Sequence, residues 1–310
     1  MDAFGDMFRG VRAQGSLFGS STLTAPWALH FVDGAPLTLC TVLGGSGWIV
    51  PDGRPPELLR VGETLIVKGP GTFTFVDEPG TDAEPLACGA FCATPEQGGT
   101  RHRRGWHDDP GGVGATTLIT GAYPVRGEIS RRLLDALPPV LRTGSGGSGD
   151  PVLEHLAAEV ATDRPGQQVV LDRLLDWLLV CSIREWFDRP GGHPPAWYSA
   201  QRDPVVGDAL RLLHAEPAAA WTVSALARRA GVSRATLAKR FADLVGEPPL
   251  TYLTGWRMTL AADLLTDDET TTIAEVARTV GYADAFSFSA AFKRTRGVSP
   301  SEYRRLPVGA

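Results

Sequence analysis

The chain has 310 residues, of which 43% are hydrophobic and 21% charged. This composition excludes fibrous and disordered proteins, and the length predicts two domains. No apolar run approaches the roughly 20 residues of a membrane-spanning helix, and residues 1–10 lack the pattern of a secretory signal, so we expect a cytoplasmic protein with no membrane partner. The net charge of the chain is −5, but the charge is divided unevenly. Residues 200–310 contain 14 Lys and Arg against 12 Asp and Glu, a net charge of +2, which leaves −7 in residues 1–199. A nucleic-acid partner is therefore expected at the carboxyl-terminal part.

Short apolar runs separated by glycine and proline fill the region from Leu23 to Thr120. This spacing is typical of a β-barrel or β-sandwich. The polar, Gly-rich stretch Glu96–Gly114 predicts a long loop within the region. The predicted strands are Trp27–Val32, Leu37–Leu43, Thr64–Val67, Phe73–Val76 and Leu86–Ala93.

A helical period begins at Ile129 and stops at Pro138, and Thr143–Gly149 (TGSGGSG) predicts a flexible connector. Two further helices are predicted over Val152–Ala161 and Val169–Phe187. The second has a broad apolar face, which either fills the core of its own domain or forms an interdomain or homodimer surface. The periodicity alone does not distinguish these alternatives.

An internal repeat marks the carboxyl-terminal part. Ala227-x-x-x-Gly231 recurs as Ala277-x-x-x-Gly281, and Leu237-x-x-x-Phe241 recurs as Phe288-x-x-x-Phe292. Each copy predicts two helices that meet at a steep angle, because the alanine permits close approach and the glycine ends the first helix. The predicted helix caps are Thr222, Ser233, the capping box Thr272-x-x-Glu275, and Asp284, with a long helix from Pro248 between the copies.

Together with the closing Gly297-Val298-Ser299-Pro300-x-x-Tyr303-Arg304, this arrangement resembles the AraC/XylS family signature over about residues 204–306. The resemblance implies two helix-turn-helix units whose recognition helices enter successive major grooves of double-stranded DNA, about 34 Å apart.

The outward positions of the first recognition helix are the candidate DNA contacts Arg234, Ala235, Thr236, Ala238, Lys239 and Arg240. Arg234 or Lys239 can reach guanine O6 and N7 or a phosphate, and Thr236 can reach a thymine methyl or a phosphate. The alternative for each side chain is a solvated helix face.

In the second recognition helix the outward set is Ala285, Phe286, Ser287, Ser289 and Ala290. Family members often carry arginine where this chain has Ala290, so this helix lacks the polar base contact that the family pattern implies at that position. Phe286 either contacts thymine methyl groups or packs within the domain. Phosphate contacts are predicted for Lys293, Arg294 and Arg296.

Residues Phe18–Ala93 resemble the cupin-like sensor domain of AraC-type regulators in Pro26-Trp27, the turn Val42–Gly45, Gly62-Glu63 and Cys88-Gly89. Metal-dependent cupins need several histidine and carboxylate ligands on one face, but Cys40 stands where relatives often have histidine, so we predict no metal, no cofactor and no enzymatic activity. A small effector is expected among Trp27, His30, Cys40, Trp48, Phe73 and Phe75. The alternative is that these side chains only fill the core.

Cysteine and histidine suggest two further sites. Cys40, Cys88 and Cys92 are candidates for a thiol switch, against the alternative that they are buried small residues, and Cys181 is expected in a core. His102 and His107 have a weak metal-binding pattern, and a solvated loop is the favoured interpretation.

The sequence thus predicts an α+β multidomain fold: a cupin-like β-barrel (1–138), a linker and helical connector (139–199), and an all-α double helix-turn-helix domain (200–310). The leading function is a sequence-specific transcription regulator that senses a small effector, with RNA polymerase and a second copy of the chain as further partners. Activation and repression stay open. The alternatives are a thiol-based redox regulator and, from another class, an Ada-like repair enzyme, whose zinc site uses four cysteines.

Overall fold

The computed structural model describes residues 2–8, 11, 18–31, 35–51, 53–69, 71–81, 86–87, 115–125, 127–144, 150–162, 164–267 and 270–306. These residues form two compact units. The barrel unit comprises Val11–Val125 and Leu137–Gly192, and the helical unit comprises Met1–Gly10, Arg126–Ala136 and His193–Ala310. Within the described ranges, no helix is long and apolar enough to cross a membrane.

The barrel unit is built on two five-stranded sheets, ordered β1-β9-β3-β6-β10 and β5-β4-β7-β2-β8. The described pairings within them are antiparallel except that of β2 with β8. The strands are β1 (Phe18–Thr24), β2 (Ala28–Phe31), β3 (Leu37–Gly44), β4 (Ser46–Pro51), β5 (Glu57–Arg60), β6 (Thr64–Lys68), β7 (Phe73–Val76), β8 (Leu86–Ala87), β9 (Ala115–Tyr123) and β10 (Val140–Thr143).

Alternation along the strands directs one apolar row into a shared core. Leu29, Ile49 and Phe75 are opposite one another in the register of β2, β7 and β4, and all three are fully buried. Gly47 lies on the same face, where an added Cβ would come within 2.7 Å of the Phe75 ring and 2.9 Å of the Trp27 ring. Glycine at this position therefore makes room for the two aromatic rings.

Two helices complete the barrel unit, α3 (Pro151–Val160) and α4 (Gln167–Asp188). The fully buried Tyr123 of β9 donates a hydrogen bond of 2.8 Å to the carbonyl oxygen of Leu175 on α4. Burial raises the pKa of the Tyr123 hydroxyl well above its ordinary value, with the nearby Asp176 and Asp172 adding to the shift. The hydroxyl therefore stays protonated and keeps its role as a donor.

The helical unit contains α1 (Ala3–Met7), α2 (Gly127–Asp135) and the carboxyl-terminal helices. The central helix α9 (Pro249–Asp267) packs against both helix pairs of the repeat. The core around the second helix pair includes Met258, Leu265, Phe288 and Phe292. The carboxyl-terminal helices are α5 (Ala196–Ala200), α6 (Pro204–Ala215), α7 (Val223–Arg229), α8 (Arg234–Val245), α9 (Pro249–Asp267), α10 (Ile273–Thr279), α11 (Ala285–Arg296) and α12 (Pro300–Arg304).

The predicted fold class is confirmed: an amino-terminal cupin domain of antiparallel sheets is joined to a carboxyl-terminal helical domain. The division of the chain differs from the predicted boundaries. Residues 2–8 and 127–136 belong to the helical unit, which resumes at residue 193 rather than 200, and β10, α3 and α4 belong to the barrel unit rather than to a separate connector. Thr143 closes β10 by pairing with Thr64, so the predicted flexible connector begins too early, and its residues 145–149 lie outside the described ranges.

Candidate nucleic-acid interface

Two helix pairs of the helical unit share one turn geometry. Between α7 and α8 the amide of Val232 donates to the carbonyl oxygen of Ala227 at 3.0 Å, and between α10 and α11 the amide of Tyr282 donates to that of Ala277 at 2.8 Å. Both turns pass through a glycine of positive φ, and both alanines are buried where the helices meet. The repeat predicted from the sequence is therefore a repeat of backbone geometry.

Each recognition helix begins at a side-chain cap. Ser233 accepts from the amide of Thr236 at 3.1 Å, and Asp284 accepts from the amide of Ser287 at 2.7 Å. These bonds satisfy amides that the helix itself leaves without partners. The predicted caps are thus confirmed, including the capping box of Thr272 and Glu275.

Arg257 on α9 holds the loop that leads into the first helix pair. Its guanidinium donates to the carbonyl oxygens of Pro217 at 2.6 Å and Ala219 at 2.8 Å. The same loop contacts the turn of the second pair, because a Cβ on Gly281 would come within 2.5 Å of the Ala218 carbonyl oxygen. The two helix pairs are therefore joined through one short backbone segment.

The first recognition helix, α8, buries Leu237 and Phe241 and exposes a polar face. Lys239 is highly exposed, and its Nζ lies 2.7 Å from Oδ2 of Asp243, a pairing that raises the pKa of the lysine. Ala238 is half-buried, whereas the exposed candidates are Arg234, Ala235, Thr236, Lys239 and Arg240.

The second recognition helix, α11, buries Phe288 and Phe292 and exposes a less polar face. Phe286 is 85% exposed. The alternative that its ring packs within the domain is therefore wrong as far as the described residues are concerned. Ala285 and Ser289 are half-buried, and the exposed candidates are Phe286, Ser287, Ala290, Lys293 and Arg294.

Two arginines among the predicted DNA contacts are engaged by residues outside their own helix. Nε of Arg240 donates to Asp203 at 2.8 Å, and the guanidinium of Arg296 donates to Glu128 at 2.8 Å and to the Thr259 hydroxyl at 3.1 Å. The predicted phosphate contact of Arg296 therefore needs correction, because only 22% of its side chain is exposed. The sequence missed both pairs because the partners lie 37 and 168 residues away.

Asp263 on α9 caps α2 from outside that helix. Its carboxylate accepts from the amides of Glu128 and Ile129, and a Cβ on Gly127 would come within 2.8 Å of it. Burial raises the pKa of the Asp263 carboxyl to about 6, although the two amides act in the opposite direction. Sequence reasoning missed this cap, since the acceptor is not next to the helix it caps.

A buried hydrogen-bonded triad of Asp6, His214 and Tyr252 lies within the helical unit. Nδ1 of His214 lies 2.8 Å from Asp6, and its Nε2 lies 2.8 Å from the Tyr252 hydroxyl. Burial lowers the pKa of His214, while the neighbouring Asp6 raises it. Burial also raises the pKa of Tyr252 to about 12.

Comparison with known proteins assigns both parts of the chain. The model of a cupin family matches residues 2–188, and the model of a helix-turn-helix family matches residues 226–306. A Streptomyces lividans protein named as an AraC-like transcription regulator is 32% identical over 313 residues, which cover 99% of each chain. The chain belongs to the AraC-like transcription regulators. It is accordingly a DNA-binding transcription regulator with an amino-terminal cupin domain.

Two further similarities are more distant or more local. The HTH-type transcriptional regulator AlkR of Acinetobacter baylyi is 28% identical, and the match covers 98% of this regulator and 99% of AlkR. The solved DNA-binding domain of AdpA, in complex with a target DNA, is 32% identical. That match covers 33% of this chain and 90% of that one, with a TM-score of 0.31.

The six predicted effector residues of the regulator do not share one face. Trp27, Cys40, Phe73 and Phe75 lie together in the core, with the Trp27 and Phe75 rings stacked at 5.4 Å. The prediction that His30 and Trp48 line the same site is wrong. Each is next to inward-facing residues of its strand, so its side chain lies on the other face of the sheet. Nδ1 of His30 instead lies 2.8 Å from the hydroxyl of Thr74 on the other face of the sheet.

The thiol candidates are only partly described. Cys40 is fully buried, and Cys181 on α4 is half-buried, with burial raising its pKa. Cys88, Cys92, His102, His107 and the predicted loop Glu96–Gly114 lie outside the described residues. Among the residues that are described, no group of three or more His, Cys, Asp or Glu side chains could hold a metal ion.

Proposed function

We propose that this AraC-like regulator reads specific sites in double-stranded DNA with α8 and α11, and that a small effector bound in its barrel unit controls this binding. The observation that carries the first part is the pair of capped helices, each entered through the same turn, each with an exposed outer face. On this proposal α8 supplies Arg234 and Lys239 as polar readers of guanine or phosphate.

Selection from random double-stranded DNA tests the first part. The wild-type protein is expected to enrich one motif, and the double variant Arg234→Ala/Lys239→Ala is expected to weaken or relax it. The matched control is Arg54→Ala/Arg164→Ala, which removes the same charge from exposed positions of the barrel unit. Loss of the motif in both double variants, or enrichment of no motif by the wild type, would count against sequence-specific reading by α8.

The effector part of the proposal is supported by one buried donor. Trp27 is 6% exposed, and its indole Nε1 has no hydrogen-bond partner among the described residues. An unsatisfied buried donor costs roughly 1–3 kcal/mol. The effector class that fits is a small apolar molecule with a carbonyl or carboxylate oxygen, which would accept from this indole.

A panel of aromatic carboxylates and ketones tests this part by thermal unfolding. A probe that binds is expected to raise the Tm of the wild-type protein. The rise should disappear in Trp27→Phe, which keeps an aromatic ring but removes the N–H, and persist in Trp48→Phe. An equal rise in wild type and Trp27→Phe would exclude Trp27 as the donor to the effector. Contact with RNA polymerase, homodimer formation and the thiol alternative stay predictions from the sequence.

A further inference from the structure

The exposed stripe of α11 differs from that of α8 at every matched position. The offset of 51 residues that aligns Phe288 with Leu237 also aligns Phe286 with Ala235 and Ala290 with Lys239. Arg234 is matched by Ala285 in the same way. The second helix therefore has alanine at the positions matched to Arg234 and Lys239, and a large apolar ring at the position matched to Ala235.

Ser287, the exposed serine near the start of α11, is already engaged. The hydroxyl of Ser287 donates to Asp284 at 2.8 Å, and the amide of Ser287 donates to the same carboxylate. The carboxylate also places a negative charge at the start of α11, which disfavours a phosphate there. The cations of the exposed stripe, Lys293 and Arg294, follow one to two turns later.

The major groove presents one apolar group on its base edges, the C5 methyl of thymine. A helix that offers Phe286 and Ala290 to the groove has this methyl as its matching partner. The exposed cations Lys293 and Arg294 on the same stripe favour DNA over a protein as the occupant, since they suit phosphates.

We propose that α11 reads thymine by its methyl group, with Phe286 as the specificity-determining residue of the second half-site. The inference rests on the proposed DNA-reading function. It predicts that the half-site contacted by α11 accepts 5-methylcytosine in place of thymine, because both carry the methyl group. Deoxyuridine pairs as thymine does but lacks the methyl group, so a site that contains it should bind more weakly.

The experiment uses the full-length protein and the DNA site obtained by selection. The half-site of α11 is the one whose sequence preference the double variant Arg234→Ala/Lys239→Ala leaves unchanged. Each thymine of this half-site is replaced in turn by deoxyuridine, and the Kd is measured by competition. A wild-type loss of about fourfold is expected per contacted methyl, the equivalent of about 0.8 kcal/mol. Replacing that thymine–adenine pair by a cytosine–guanine pair should lower the affinity of the protein. Replacing the cytosine by 5-methylcytosine should restore it.

The variant Phe286→Ala should bind thymine and deoxyuridine sites with the same Kd, while Leu306→Ala, another exposed apolar side chain, keeps the wild-type difference. Because Phe286 is 85% exposed, its replacement should leave the Tm unchanged. Equal binding of both sites by the wild type, or an equal loss in wild type and Phe286→Ala, would overturn the inference and leave Phe286 to a protein partner. Failure to obtain any specific site would instead overturn the proposed function.

Discussion

Two arginines at the end of α11 have opposite environments although they lie two residues apart. Arg294 is exposed, whereas Arg296 is held by Glu128 and Thr259. The sequence predicted one role for both, because both are cations in the last turn of the helix and no partner on α2 is visible in the sequence. Residues two apart face different sides of a helix, but which side meets a partner is set by tertiary packing.

Substitution should separate the two roles. We expect Arg296→Ala to lower the free energy of unfolding by about 1–3 kcal/mol, because the half-buried Glu128 loses its less exposed cationic partner and keeps the exposed Arg131. Arg294→Ala should change this free energy by less than about 0.5 kcal/mol but reduce the salt dependence of DNA binding. Urea unfolding and affinity at several salt concentrations measure both effects. Equal stability losses would contradict the assignment.

Asp263 gives the helical unit a pH dependence. Its pKa is about 6 in the folded protein against an ordinary 3.8, so its stabilising contribution is complete below about pH 4 and is lost as the pH rises through 6. A pKa difference of about two corresponds to roughly 3 kcal/mol of unfolding free energy. We therefore expect Asp263→Asn to flatten the dependence of unfolding free energy on pH between 4 and 7 by up to this amount. An unchanged slope in the variant would show that Asp263 is not the responsible group.

At the scale of elements, the helices of the repeat were the best predicted part of the chain. Thr222, Ser233 and Asp284 each cap the helix that the sequence assigned to them, because a cap is a local interaction between residues two or three apart. Strands β1, β4, β5, β9 and β10 were missed. Ser46–Pro51 contains a glycine and ends in a proline, and the need for Gly47 arises from rings on other parts of the sheet.

The two turn glycines should respond differently to the same substitution. Both have positive φ, but a Cβ on Gly231 meets nothing within 4 Å, whereas one on Gly281 meets the backbone of Ala218 at 2.5 Å. We expect Gly231→Ala to cost about 1–2 kcal/mol of unfolding free energy through backbone strain alone. Gly281→Ala should cost about 1–3 kcal/mol more, because the packed loop must move. Thermal or urea unfolding of both variants measures this, and equal costs would refute the close approach.

At the scale of the whole molecule, the chain does not divide into consecutive segments. Residues 127–136 lie in sequence between β9 and β10 of the barrel unit, yet they pack in the helical unit as α2. Asp263 and Arg296 hold that helix, and both are more than 130 residues away in the chain. Composition and local periodicity located the two domains, but neither could assign this helix, because its partners are set by the tertiary fold.

An affinity profile over single base-pair changes shows whether two recognition helices read two adjacent DNA segments. Each base pair of the selected site is changed in turn, and the Kd of the full-length protein is measured at fixed salt. We expect two clusters of sensitive positions about 10 base pairs apart, each change costing about 1–3 kcal/mol. A single cluster would contradict reading by α11, and a flat profile would contradict sequence-specific binding altogether.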